Sequence, residues 1–160
     1  MDLPVGTKAL ILSKWYYGVL SKTLEHLDVD RYYSILYFLN ENDGCTQQHI
    51  CNNLAIDKTA MVKVIDCLIK MGMVQRKINP DDRRQQLIIL TKKGIKQTAE
   101  VVNAFETLDA EIFSNVATAD KDLFIKVLCQ LSSNLKELPS NDLFFNYQKT
   151  IKTTKKIKSN

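Results

Sequence analysis

The sequence predicts a mainly α fold in which one two-stranded β-hairpin interrupts a run of helices. Three observations carry this. Apolar residues recur at three-to-four spacing through most of the chain, and the period drops to two only after Gly72. Between residues 40 and 140 glycine and proline fall only at Gly44, Gly72, Pro80, Gly94 and Pro139, which marks the boundaries of the elements. Leu, Ile, Val and Phe supply 49 of the 160 residues, well above the ~20% below which a chain stays disordered. The chain therefore buries a core, and its length suits one domain.

The elements follow in order. Residues 8–26 place Ile11, Leu12, Trp15, Val19, Leu20 and Leu24 on a helical stripe, and residues 31–42 repeat the pattern with Ile35, Leu36, Phe38 and Leu39. Gly44 ends the second helix, Thr46 is placed to cap a third, and Ile50 and Leu54 form the apolar face of a short helix closing near Ala55. Asp57 caps the next, which turns Met61, Val64, Ile65 and Leu68 inward, and Gly72 stands where a left-handed residue ends a helix. Two short helices thus meet at the tight turn Ala55-Ile56-Asp57. Met73 to Ile78, the turn Asn79-Pro80-Asp81-Asp82 and the β-rich Gln85 to Leu90 then read as a hairpin with a charged tip. Thr91-Lys92-Lys93-Gly94 opens a long helix carrying Ile95, Ala99, Val102, Phe105 and Ile112. A last helix starts at Thr118 to Asp120 and carries Leu123, Phe124, Val127, Leu128, Leu131 and Leu135. That wide apolar face, with the first helix, predicts a homodimer surface; packing within one chain is the alternative.

Charge is unevenly divided. The formal net charge is +4, yet residues 1–56 carry −2, residues 57–96 carry +6, residues 97–138 carry −4 and residues 139–160 carry +4. A basic middle and a basic end on an acidic body suit a polyanion bound at one face. Apolar runs such as Ala9–Leu12 and Leu87–Leu90 are far shorter than the ~20 residues a membrane span needs. With Asp2 early and Lys14 interrupting the first apolar segment, the N-terminus lacks the pattern of a secretory signal, which predicts a cytoplasmic protein. Cys45, Cys51, Cys67 and Cys129 form no C-x-x-C pair, and His26 and His49 lack ligand spacing, so neither a disulfide framework nor a metal site is predicted. Each Cys reads first as a small buried or half-buried hydrophobe, and Cys45, beside Gly44 at a helix start, is the one whose pKa a helix N-terminus could lower. No paired carboxylates, Ser/His/Asp order or Gly-rich phosphate loop appears, so neither catalysis nor a cofactor is expected.

Helix, tight turn, helix and basic hairpin together make a winged helix-turn-helix. The ordered series Asp57-Lys58-Thr59-Ala60-Met61-Val62-Lys63, Leu68-Ile69-Lys70-Met71-Gly72-Met73-Val74-Gln75-Arg76, Asp81-Asp82-Arg83-Arg84 and Leu90-Thr91-Lys92-Lys93-Gly94 resembles a MarR-type transcriptional regulator over roughly residues 8–138. The resemblance implies one domain over 1–138, with the winged module at about 31–91 and dimerisation helices at about 8–26 and 92–138, followed by a basic extension over 139–160. It further implies a homodimer on a pseudo-palindromic double-stranded DNA operator and repression relieved by a small-molecule effector or by oxidation of a thiol; peroxide-sensing members use a Cys near the start of the first helix, and this sequence has none before Cys45, which favours the small molecule.

A recognition helix in the major groove presents its N-terminal residues to base edges, here Lys58, Thr59, Val62 and Lys63. Lys63 can reach guanine acceptors or a phosphate, and Val62 either touches a base or nothing specific. Arg83 and Arg84 at the wing tip are placed for a narrow minor groove, with Arg76 expected to pair with Asp82 and fix the hairpin. Thr46, Gln47 and Gln48 begin the first helix of the motif, where they hold a phosphate or act as caps alone. Family effectors bind near the first helix, the long fifth helix and the helix-turn-helix, which makes Trp15, Tyr16, Tyr33 and Tyr37 candidate lining; plain core is the alternative. A different function, a winged-helix interaction module meeting an acidic partner, gives no reason for grouping Lys58, Lys63, Arg83 and Arg84 on helix and wing tip, so the sequence favours DNA.

Overall fold

The computed structural model describes residues 2–27, 29 and 32–139. The first helix, α1 (Val5–Thr23), leads to α2 (Tyr33–Glu41), a two-residue strand β1 (Cys45–Thr46), and the short helices α3 (Gln47–Leu54) and α4 (Lys58–Lys70). The hairpin β2 (Val74–Ile78) and β3 (Gln86–Leu90) follows, then the long helices α5 (Lys92–Ile112) and α6 (Thr118–Lys136). Of the basic extension expected over 139–160, everything beyond Pro139 lies outside the described residues.

Local chemistry explains most boundaries. Asp57 accepts the backbone N–H groups of Thr59 at 2.8 Å and Ala60 at 2.9 Å, satisfying two donors that the first turn of α4 leaves open. Thr46 does the same for His49 at 3.2 Å in α3, and Thr91 for Gly94 at 3.0 Å in α5. At the end of α4 the N–H of Met73 bonds to the carbonyl of Leu68 and that of Gly72 to Ile69, both at 2.9 Å, with Gly72 at φ +70. This paired closure requires a left-handed residue at the glycine. Ala55 holds the corresponding conformation, φ 51, in the turn between α3 and α4.

The sheet has three antiparallel strands in the order β1-β3-β2, one more than the hairpin expected from the sequence. Cys45 stands opposite Ile88 and Thr46 opposite Leu87, while Val74 pairs with Leu90 and Arg76 with Ile88. A two-residue strand is too short to show a period of two, which is why only its partner across the sheet reveals it. Beneath the sheet, Leu36, Leu39, Ile50, Met61, Ile65, Leu68, Met73 and Ile88 are fully or almost fully buried with Leu20 and Val101 from the long helices. The stripes of α2, α3 and α4 thus converge on one core with α1 and α5 behind them. The last helix differs: α6 has no buried residue at all, and Leu123, Phe124, Val127, Leu128, Leu131 and Leu135 all face outward.

Candidate functional site

The face of α4 opposite its buried stripe carries Lys58, Thr59, Val62 and Lys63, all exposed. The capping carboxylate of Asp57 fixes where this helix starts and therefore which residues stand at its exposed N-terminal end. Beside it, Thr46 is engaged as a cap, Gln47 is half-buried, and Gln48 is exposed with its amide donating to Asn52 at 2.8 Å.

The wing differs from expectation at one contact. Arg76 donates to the carboxylate of Asp66 at 2.8 Å rather than pairing with Asp82. The reason is register: Arg76 lies in the middle of β2 opposite Ile88, away from the tip, and reaches back to α4. Asp82 instead shapes the tip. Its two carboxylate oxygens accept the Arg84 backbone N–H at 3.0 Å and the Gln85 side-chain amide at 2.9 Å, and the Asn79 side chain accepts the N–H of Asp81 at 3.0 Å. These side-chain-to-backbone bonds close the loop locally and leave the side chains of Arg83 and Arg84 exposed.

Asp66 was not visible as a site residue in the sequence, because a contact between a helix and a strand ten positions apart follows no period. The base of the wing was likewise missed. There the Thr91 hydroxyl donates to the Gly72 carbonyl at 2.6 Å, and the Lys93 ammonium to the Met71 carbonyl at 2.8 Å. Both orient the start of α5 against the end of α4, so helix and wing are held as one surface. On that surface Lys58, Lys63, Lys70, Lys77, Arg83 and Arg84 are all exposed.

A second feature lies behind the interface. A groove of about 430 Å³ opens between α2 and α5, walled by Tyr37, Phe38, Leu54 and Phe105. Glu41, Glu106 and Asp109 stand on it as well. Tyr37 and Phe105 meet at 5.2 Å between ring centroids with planes at 68°. Tyr16 reaches the same region from α1: its ring lies 6.0 Å from Phe105, and its hydroxyl donates to Asp109 at 2.7 Å. Burial, and then the bond to Asp109, push the Tyr16 phenol well above its usual range.

Two of the four aromatics expected to line a pocket are elsewhere. Trp15 is 68% exposed and faces away with Lys14, Val19 and Lys22, while it is Tyr16 and Tyr17 that α1 turns toward Phe105. Tyr33 is 3% exposed and belongs to the core. The expectation for Cys45 is also corrected: its thiol is pushed up by burial, with a smaller contribution from Asp43, since it sits on β1 ahead of the helix rather than at the helix terminus.

Comparison with known proteins agrees with this architecture. A family model described as MarR family matches residues 30–85. A putative transcriptional regulatory protein for the hcr operon of Thauera aromatica is 26% identical over 109 residues, 68% of this chain and 66% of that protein, so the match spans just under two thirds of the relative's length. Among solved structures, the transcriptional regulator SlyA superposes with a TM-score of 0.78 at 17% identity, covering 84% of this chain and 96% of that one. The transcriptional repressor CouR, bound to a 23-mer DNA duplex, gives a TM-score of 0.70 at 20% identity, covering 82% of this chain and 99% of that one. The sequence series, the three-stranded winged module and the flanking helices all agree with this similarity: residues 30–85 match the MarR family model, and the chain shares the fold of the solved regulators.

Proposed function

We propose that this protein is a homodimeric regulator that binds double-stranded DNA sequence-specifically, acts in the cytoplasm as a repressor, and is released by a small-molecule effector held in the groove between α2 and α5. One observation carries the DNA reading: the outward face of α4 presents Lys58, Thr59, Val62 and Lys63 while the Arg76–Asp66 bond locks the basic wing beside it. In this reading α4 enters the major groove, Arg83 and Arg84 approach the minor groove on its flank, and the start of α3 meets a phosphate. The duplex in the CouR structure supports the same use of a similar fold.

The homodimer rests on α6 and α1. The apolar face of α6 has no cover within the described residues, and Leu12, Trp15 and Val19 of α1 are also exposed. Leaving this much apolar side-chain surface in water is unfavourable at roughly 25 cal/mol per Å². No described helix is long and apolar enough to cross a membrane.

The test is to select bound fragments from genomic DNA and footprint them. Protection of two half-sites with centres about 34 to 36 Å apart, or a multiple, is expected from a two-fold dimer. Recovery of fragments without a shared sequence, or protection of a single unrepeated half-site, would overturn the reading. Light scattering checks the dimer separately, and a mass of one chain at micromolar concentration would exclude it.

A further inference from the structure

We propose that the groove between α2 and α5 takes an organic cation with a flat apolar body, such as an arylalkylamine. This deepens the effector reading above and rests on it. The volume of about 430 Å³ suits a small molecule, and Tyr37, Phe38, Leu54 and Phe105 give it aromatic and aliphatic walls, with the neutral polar side chains of Ser34 and Asn42 beside them. Charge decides the class. Three carboxylates, Glu41, Glu106 and Asp109, line this groove, and among its described lining residues there is no Lys, Arg or His.

The three carboxylates are not equivalent. Asp109 is held in place by the Tyr16 hydroxyl at 2.7 Å, and one oxygen of Glu41 accepts the Asn40 amide at 2.9 Å. Glu106 has no hydrogen bond or ion pair among the described residues, so its charge is available to a ligand. An anionic ligand would give up its hydration to sit among three negative charges with no cation to offset the loss. A cation gains twice, from the carboxylates and from the faces of Tyr37 and Phe105.

The ring cluster gives the ligand a route to the DNA-binding face. Tyr37 is on α2, Phe105 and Asp109 on α5, and Leu54 on α3, the first helix of the helix-turn-helix. A body inserted between them bears on the spacing of α2 and α3 against α5, and thereby on where α4 stands relative to the operator.

Calorimetry on the full chain with a matched pair of probes tests this. The pair is 1-naphthylmethylammonium and 1-naphthylacetate, one ring system with opposite charges. The ammonium should bind and the acetate should not, and Glu41→Gln with Glu106→Gln should weaken the ammonium about tenfold, or about threefold for each exposed carboxylate. These exposed, isosteric changes leave the core untouched. The proposal is overturned if the acetate binds as tightly as the ammonium, if the double variant binds the ammonium as the parent does, or if neither probe binds at millimolar concentration. Retention of genomic DNA fragments by the same preparations separates the two readings. Ammonium binding without DNA retention would sink the regulator and leave the ligand class standing, whereas DNA retention with acetate binding would sink only the ligand class.

Discussion

Gly94→Ala should be the most damaging single-methyl change in the chain. A Cβ at this position would lie 2.0 Å from the carbonyl oxygen of Met73, 3.0 Å from its carbon and 3.3 Å from Cδ2 of Leu90. Carbon and oxygen ordinarily approach no closer than about 3.3 Å, so the backbones of α5 and the wing must separate by about 1 Å. The same Met73 carbonyl accepts the Thr91 N–H at 3.0 Å, and Thr91 caps α5 through Gly94 itself. Overpacking of this kind costs about 1 to 3 kcal/mol and a stretched hydrogen bond about 1, while alanine returns at most about 1 through helix propensity. The balance is a loss of about 2 kcal/mol, or a fall in Tm of about 4 to 8 °C for a domain of this size. Thermal unfolding followed by circular dichroism measures it, with every variant at one protein concentration because subunit association shifts Tm. Gly6→Ala is the internal comparison, since nothing lies within 4 Å of its Cβ, and its Tm should equal or slightly exceed the parent's. A Gly94→Ala protein melting within about 1 °C of the parent would refute the steric argument and the tight seating of α5 on the wing.

Five further outcomes follow from the geometry. Asp57→Ala removes an acceptor for two backbone donors and should cost about 1 kcal/mol of stability, read as a lower denaturant midpoint with an unchanged slope. Double-mutant cycles should couple Arg76 to Asp66 by up to about 1 kcal/mol and leave Arg76 and Asp82 uncoupled; coupling to Asp82 alone would contradict the observed pairing. In DNA binding at one stated salt concentration, Lys63→Ala should cost about 1 to 3 kcal/mol per half-site and relax preference at one base position if the lysine reads guanine. Arg84→Ala should lose most affinity on operators with A·T-rich flanks, and equal loss on G·C-rich flanks would remove the wing from the minor groove. Because burial raises the Cys45 pKa above its ordinary 9.0, the protonated thiol prevails near neutrality, and whatever stability the shift reflects is complete below that value and declines as pH rises past it. Alkylation of Cys45, followed by peptide mass spectrometry, should run slower at pH 8 than that of a free thiol and climb steeply only in more alkaline buffer.

Much of the fold was readable because it is written locally. Asp57, Thr46, Thr91 and Gly72 each cap or close a helix through backbone groups two to five residues apart, and the inward stripe Met61, Val64, Ile65 and Leu68 is a property of one helix. For the same reason the outward residues Lys58, Thr59, Val62 and Lys63 could be named before any contact was known. Contacts between elements obey no such period. That Arg76 bonds Asp66 rather than Asp82 depends on the tilt of β2 against α4, and that Tyr16 meets Asp109 across 93 positions depends on how α1 lies along α5. The third strand exists only because β3 offers Cys45 and Thr46 an edge to pair with. Spacing could put Trp15 and Tyr16 on the same helix, but only packing shows that one faces the Phe105 cluster and the other faces solvent. The sequence by itself determined the inward stripe of α4 and where α3, α4 and α5 start, since these depend on hydrophobic period and on backbone groups satisfied nearby, whereas α1 runs over Val5–Thr23 rather than 8–26 and α5 buries Thr98, Val101, Ala104 and Leu108 rather than Ile95, Ala99 and Ile112. Tertiary structure alone decided which charged and aromatic side chains meet, because long side chains choose among several partners according to distances that only the packed elements set.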